Sequence, residues 1–220
     1  MVKEMAQKVK PELTRRSYLF EVRAEETESG HIITGRPIVY ESKTNLGWFD
    51  EIIERGALDG ADLRDVRFLV NHDISKIPLA RSRRNNANST MQLTVDFEGM
   101  TIQVNLDTEN NAEARALYSA VQRGDITGMS FMFGIDDEEW ENLESNHPTR
   151  HIKKISTVVE VSAVTFPAYE STEINARDKS ALDNARSALE SARQSQQRSV
   201  DTDLELEKAK IQTKLLGGIF

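Results

Sequence analysis

Residues 90–106 decide the class of fold. They read Thr90-Met-Gln-Leu-Thr-Val-Asp-Phe97, then Glu98-Gly99, then Met100-Thr-Ile-Gln-Val-Asn-Leu106. Apolar and polar side chains alternate on both sides of a glycine-bearing dipeptide, as in a β-hairpin with one face buried. Working outward, the same period recurs. Tyr18, Phe20 and Val22 alternate with polar neighbours. Residues 31–40 are rich in β-branched side chains and carry Gly35 and Pro37, which suits a bend or a sheet edge. Residues 67–71, 127–135 and 157–166 are apolar runs of strand length. Residues 111–123 break the pattern, with Ala112, Leu117, Ala120 and Val121 at helical spacing. At least seven strand candidates and few helices predict a mainly β (α+β) fold. Its expected form is an antiparallel β-barrel of about seven strands, closed or nearly closed, with a few surrounding helices.

The 220 residues make one full domain plus extensions at ~150 residues per domain. Acidic residues number 36 and basic residues 28, so the net charge is 28 − 36 = −8. Residues 1–16 hold five basic and two acidic side chains, and residues 177–220 hold eight and seven. The middle therefore carries −8 − 3 − 1 = −12. General nucleic-acid binding depends on neutralising phosphates with Lys and Arg, and this balance argues against it. The absence of cysteine excludes disulfides, a thiol nucleophile, thiolate zinc sites and iron–sulfur clusters. No run approaches the ~18 apolar residues of a membrane span. The opening MVKEMAQKVKPELTRR lacks the apolar stretch of a secretory signal, so a soluble cytoplasmic protein is expected.

Between Tyr169 and Phe220 there is no aromatic residue, so the barrel core is expected to end near residues 169–172. The predicted organisation is a basic extension (1–16), a β-barrel domain (17–176) and a helical or flexible tail (177–220). In the tail, Leu182, Ala185, Leu189 and Ala192 form a thin helical stripe. The polar stretch 194–203 reads as a linker, followed by a second short amphipathic segment.

Three residue types could carry chemistry. His72 falls at the far end of a strand whose alternation puts Val66, Phe68, Val70 and His72 on one face. Ser130 lies in Thr127-Gly-Met-Ser-Phe-Met-Phe-Gly134, on a face shared with Gly128, Met132 and Gly134. That run departs from the G-x-S-x-G elbow at Met132. Glu160 sits in Val158-Val-Glu-Val-Ser-Ala-Val164, where a carboxylate needs a partner because unpaired buried charge is costly. A histidine or an arginine would serve, and Ser162 on the same face is a competing nucleophile on paper. Each residue also has an ordinary structural reading: a hydrogen-bonded histidine, a buried serine, a structural ion pair. His147 and His151 stand four apart, but Pro148 intervenes and the surroundings are polar, which fits a metal site poorly. A metal-dependent hydrolase using His72, Asp73 and His151 stays open at this level. A histidine, a serine and an acid on three strands are the ingredients of acyl transfer, and periodicity does not tell whether they meet.

Residues 18–172 resemble the prohead (procapsid maturation) serine proteases of tailed bacteriophages. The resemblance rests on Gly35, Val39-Tyr40, Phe49-Asp-Glu-Ile-Ile-Glu-Arg-Gly-Ala57, Val70-Asn-His-Asp73 and Pro78-Leu-Ala-Arg81. It continues through Arg123-Gly-Asp-Ile-Thr-Gly-Met-Ser-Phe-Met-Phe133, Trp140 and Val159-Glu-Val-Ser-Ala-Val-Thr-Phe-Pro-Ala-Tyr-Glu-Ser-Thr172. It implies the β-barrel of the herpesvirus assembly protease (assemblin), with His72 as base and Ser130 as nucleophile. Herpesvirus enzymes use a second histidine as the third member. None follows His151 here, so the resemblance carries that role to Glu160 on the corresponding late strand. It implies an endopeptidase that cuts scaffold protein, or the scaffolding segment of the major capsid protein, and itself, inside the immature prohead in the host cytoplasm. No cofactor, nucleic acid or membrane is implied, and a homo-oligomer stays open. The alternative is a catalytically inactive scaffold or capsid-assembly protein of the same fold. An oxyanion donor is sought among the backbone N–H groups near Arg81, Arg83 and Arg84. Self-cleavage is expected between residues 172 and 203, with a second cut before Tyr18.

Overall fold

The elements follow from where apolar side chains repeat. The computed structural model describes residues 13–18, 22–27, 30–165 and 179–216. Phe20, residues 1–12 and residues 166–172 lie outside the described residues. In chain order the elements are β1 (Leu13–Tyr18), β2 (Arg23–Thr27), β3 (Gly30–Val39), β4 (Lys43–Asn45), β5 (Asp50–Ile53), β6 (Asp65–Val70) and β7 (Ala80–Arg83). Then come β8 (Met91–Asp96), β9 (Gly99–Leu106), α1 (Ala112–Arg123), β10 (Gly128–Glu141), β11 (Thr149–Val164) and α2 (Lys179–Leu216).

The opening hairpin is β8–β9. Gly99 turns it at φ 145°, and a Cβ there would stand 2.0 Å from the Ile38 carbonyl oxygen. No larger residue fits that approach. Asp96 closes the turn by accepting from the N–H groups of Glu98 (2.8 Å) and Gly99 (3.0 Å). A bidentate bond from Arg36, joined by the turn amides, holds the Asp96 carboxyl down at about 2. The helix at 111–123 also forms. Asn111 caps it by accepting from Glu113 N (2.9 Å) and Ala114 N (3.2 Å), and Gly124 ends it at φ 79°.

No closed barrel forms among the described residues. Among the described residues, two open sheets share one core. A four-stranded sheet runs β2-β3-β9-β8, and a seven-stranded one runs β1-β10-β11-β5-β4, with β6 on β11 and β7 on β6. The sheet is also mixed, because β11 pairs parallel with both β5 and β6. The cause is the length of β11. With 16 residues it borders β10 along one edge and still carries β5 at its start and β6 near its end. The sheet branches instead of curling shut. Ile33, Ile38, Met100, Val104, Phe68, Met129, Phe131, Phe133, Ile155 and Val161 fill the core between the sheets.

The tail also differs from expectation. Residues 194–203 are part of the continuous helix α2, not a linker. Gln, Arg and Ser have no strong bias against a helix. Here Ser195 and Thr202 donate to carbonyls four residues back, and Gln197 reaches Asp201. The stripe packs on the body: Ala185 and Leu189 are buried with Phe49 and Trp140, flanked by Leu182 and Ala192. Arg193 ties the same turn to the Leu143 carbonyl at 2.8 Å. These contacts favour counting the first half of α2 with the folded unit. A chain ended at residue 194 should melt near wild type. One ended at 176 should aggregate, because it bares Phe49 and Trp140. Leu189→Ala should lower unfolding free energy by about 2–3 kcal/mol in urea titrations.

Candidate active site

Three strands converge on one buried carboxylate. In the antiparallel β10–β11 ladder, Ser130 stands opposite Ser162, and Met132 opposite Glu160. The ladder slips between Met132 and Phe133, the kind of bulge that re-aims side chains beside a site. On the other edge of β11, β6 sets Arg67 opposite Glu160 and Leu69 opposite Ser162. β6 then ends, and the chain turns through Asn71 (φ 51°) and His72 (φ 57°). Left-handed backbone at consecutive non-glycine residues is uncommon and has to be held. Asn71 holds it. Its N–H donates to Ala163 O (2.9 Å), and its side chain exchanges bonds with Thr165 (3.1 and 3.0 Å).

The turn delivers the imidazole of His72 to Glu160, with Nδ1 bonded to Oε1. Glu160 is 1% exposed, so this partner and the next are what keep its charge tolerable. The next is Ser162, whose hydroxyl donates to Glu160 Oε2 at 2.6 Å and accepts from His72 N–H at 3.1 Å. A closed ring results: ring nitrogen, carboxylate, hydroxyl, backbone. Glu160 thus takes a histidine partner, not an arginine. With Nδ1 on the carboxylate, Nε2 is the nitrogen left to exchange a proton with a nucleophile.

Ser130 lies across the ladder from Ser162, fully buried. Its hydroxyl donates to the backbone carbonyl of Arg16 at 2.7 Å and makes no hydrogen bond to His72. Arg16 belongs to β1, which pairs with β10 so that Arg16 faces Phe131 and Ser17 faces Ser130. The Arg16 guanidinium is buried and bonded twice to Glu51 of β5, once from Nη2 to Oε2 at 2.7 Å. Arg150 approaches the same carboxylate at 3.4 Å and is bonded to Glu138. Sequence reasoning singles out neither Arg16 nor Glu51. The signal for Glu51 is present, however. Phe49, Glu51 and Ile53 share one strand face, and all three are buried, the same pattern that exposes Glu160.

The other candidates lie elsewhere. His151 stands opposite Ile52, between Glu54 and Glu141, nine residues along β11 from Glu160, or about 30 Å of strand. It does not join His72 and Asp73, so the metal reading loses its third ligand. His147 bonds Asp50 at 2.9 Å and His31 bonds Thr108 at 2.6 Å. On β7, Arg83 pairs with Asp65 at the start of β6 and Arg81 with Arg67, and Arg84 follows the strand. Their N–H groups are already given to Thr90 Oγ1, Ser89 Oγ and Arg64 O. They therefore supply no oxyanion donor.

An imidazole oriented by a buried carboxylate, on strands that also carry a serine, is the equipment of a serine hydrolase. The chain belongs to the caudovirus prohead serine proteases, whose family model matches residues 19–186. It is therefore a serine peptidase with a role in capsid maturation. No curated protein matches it. Among solved structures it is similar to the capsid assembly protease of bacteriophage T4, at 11% identity and a TM-score of 0.42, over 72% of this chain and 100% of that one.

The ring around Glu160 makes two variants informative. Glu160→Gln should fold yet lose about 10²–10⁴-fold in peptidase rate, because an amide no longer fixes the imidazole tautomer. Ser162→Ala should lose about tenfold, one orienting hydrogen bond, with KM on a quenched peptide unchanged. A dead Ser162→Ala beside an active Ser130→Ala would move the nucleophile to Ser162.

Proposed function

We propose that Ser130 is the nucleophile, His72 the general base and acid, and Glu160 the carboxylate that orients the imidazole. The observation that carries this is the pair of buried Glu160 with part-buried His72, braced by Ser162, with Ser130 across the ladder from Ser162. Ser130 Oγ attacks the scissile carbonyl while His72 Nε2 takes its proton. The same proton then goes to the leaving amine. Water repeats the sequence on the acyl-serine and regenerates the hydroxyl. Glu160 stays ionised and stabilises the imidazolium formed in between. Ser130 exchanges its bond to the Arg16 carbonyl for one to His72 when the reaction begins.

The substrates are the scaffold protein or the scaffolding segment of the major capsid protein, cut inside the immature prohead in the host, and the chain itself. Membership of the prohead protease family supports that reading. The net charge of −8 suits an enzyme enclosed before DNA enters. A catalytically silent assembly protein would have no use for the His72–Glu160 pair.

Ser130→Ala and His72→Ala should each abolish proteolysis, losing on the order of 10⁶-fold, and the double variant should be little worse, since the residues act as a unit. Intact masses of wild type and Ser130→Ala, expressed side by side and followed over time, test this. Equal processing of both would leave the site without its nucleophile.

A further inference from the structure

We propose that Glu51 is the specificity-determining carboxylate of the peptidase, selecting a basic residue immediately before the scissile bond, and that β1 is the chain's own substrate strand, presenting Arg16–Ser17 to Ser130. The proposal rests on the reading of Ser130 as nucleophile.

Four observations converge. First, β1 is the outermost strand of its sheet and pairs with the strand that carries Ser130. Peptides enter clefts in this way, by adding an antiparallel strand to a sheet edge. Second, the Arg16 carbonyl oxygen is 2.7 Å from Ser130 Oγ. With a C=O bond of about 1.2 Å, the carbonyl carbon lies within about 4 Å of the attacking oxygen. That is close to the separation of a near-attack arrangement. Third, the side chain of that same residue is buried, and its guanidinium meets Glu51 through a fork of two bonds. Such a fork reads charge and planarity together. Fourth, the charges left when β1 departs do not cancel. Glu51 and Glu138 remain with Arg150, two carboxylates against one guanidinium. A pocket with one buried negative charge in surplus takes a cation and rejects an apolar or acidic side chain.

The step balances with water as its co-reactant. The Ser130 Oγ–Arg16 carbon bond forms, and the Arg16 carbon–Ser17 nitrogen bond breaks. His72 carries the proton from Oγ to the Ser17 nitrogen, which leaves as a free amine. Water then cleaves the ester, giving the Arg16 carboxylate and free Ser130. The products are residues 1–16 and a chain that begins at Ser17.

Two experiments on intact chains test the proposal. Intact-mass time courses should show loss of residues 1–16 from wild type and from Arg16→Lys, and an on-the-order-of 10²–10⁴-fold slower loss from Arg16→Leu. The same ratio should hold for a quenched peptide of residues 11–22 and its Arg16→Leu version, cut in trans by the wild-type chain. That arm leaves the enzyme unaltered, so misfolding does not cloud it. Glu51→Gln should narrow the preference for the basic peptide. Cutting at another bond of 11–22, or equal rates on Arg and Leu peptides, overturns the proposal. If Ser130→Ala still cuts at Arg16–Ser17, the nucleophile assignment fails instead. If Ser130→Ala is dead but the wild type ignores the basic residue, only the specificity claim falls.

Discussion

A carboxylate sealed inside a β-sheet must be matched group by group, and Glu160 is that carboxylate. One oxygen needs the imidazole of His72, the other the hydroxyl of Ser162. For both to arrive, β6 must run parallel to β11 in one register, and the chain must turn left-handed as soon as β6 ends. Asn71 is held in that geometry by Ala163 of β11 and by Thr165 just past the end of that strand. The cost of the turn and the cost of burying the charge are met by one set of contacts. The site is therefore a property of the sheet's register, not of any single loop.

What could be read from sequence was what depends on short periods. The hairpin at 90–106, the helix at 111–123 and the strands bearing Ser130 and Glu160 each declare themselves within a dozen residues. Glu160 stands out because its neighbours are apolar, and its need for a partner follows from electrostatics alone. Two features lay beyond this reach. The pairing of Glu160 with His72 spans 88 residues. The role of Ser162, visible as a serine on the right face, depends on which backbone N–H the turn brings to it.

The misread parts have a common origin. A barrel was expected because strands were counted, yet strand number does not determine closure. Closure fails because one 16-residue strand accepts two shorter partners in parallel along a single edge. Residues 194–203 were expected to be a flexible linker because they are polar. Polarity reports what faces water, and residues 194–213 of α2 do face water while remaining helical. Arg16 and Glu51 escaped for a similar reason: one sits in a basic terminal run, the other in a strand of four residues.

The bond from Ser130 to Arg16 spans 114 residues of chain, and the β6–β11 pairing is nearly as distant. Contacts of such separation form late in folding, since loop-closure entropy must be overcome before they return any stability. Ser130 and Glu160 both follow residue 127 in synthesis, and the His72 imidazole waits on Glu160 for its partner. A full-length but half-folded chain thus holds His72, Ser130 and Glu160 without the contacts that bring them together. Topology ties the candidate site to the assembly of nearly the whole sheet.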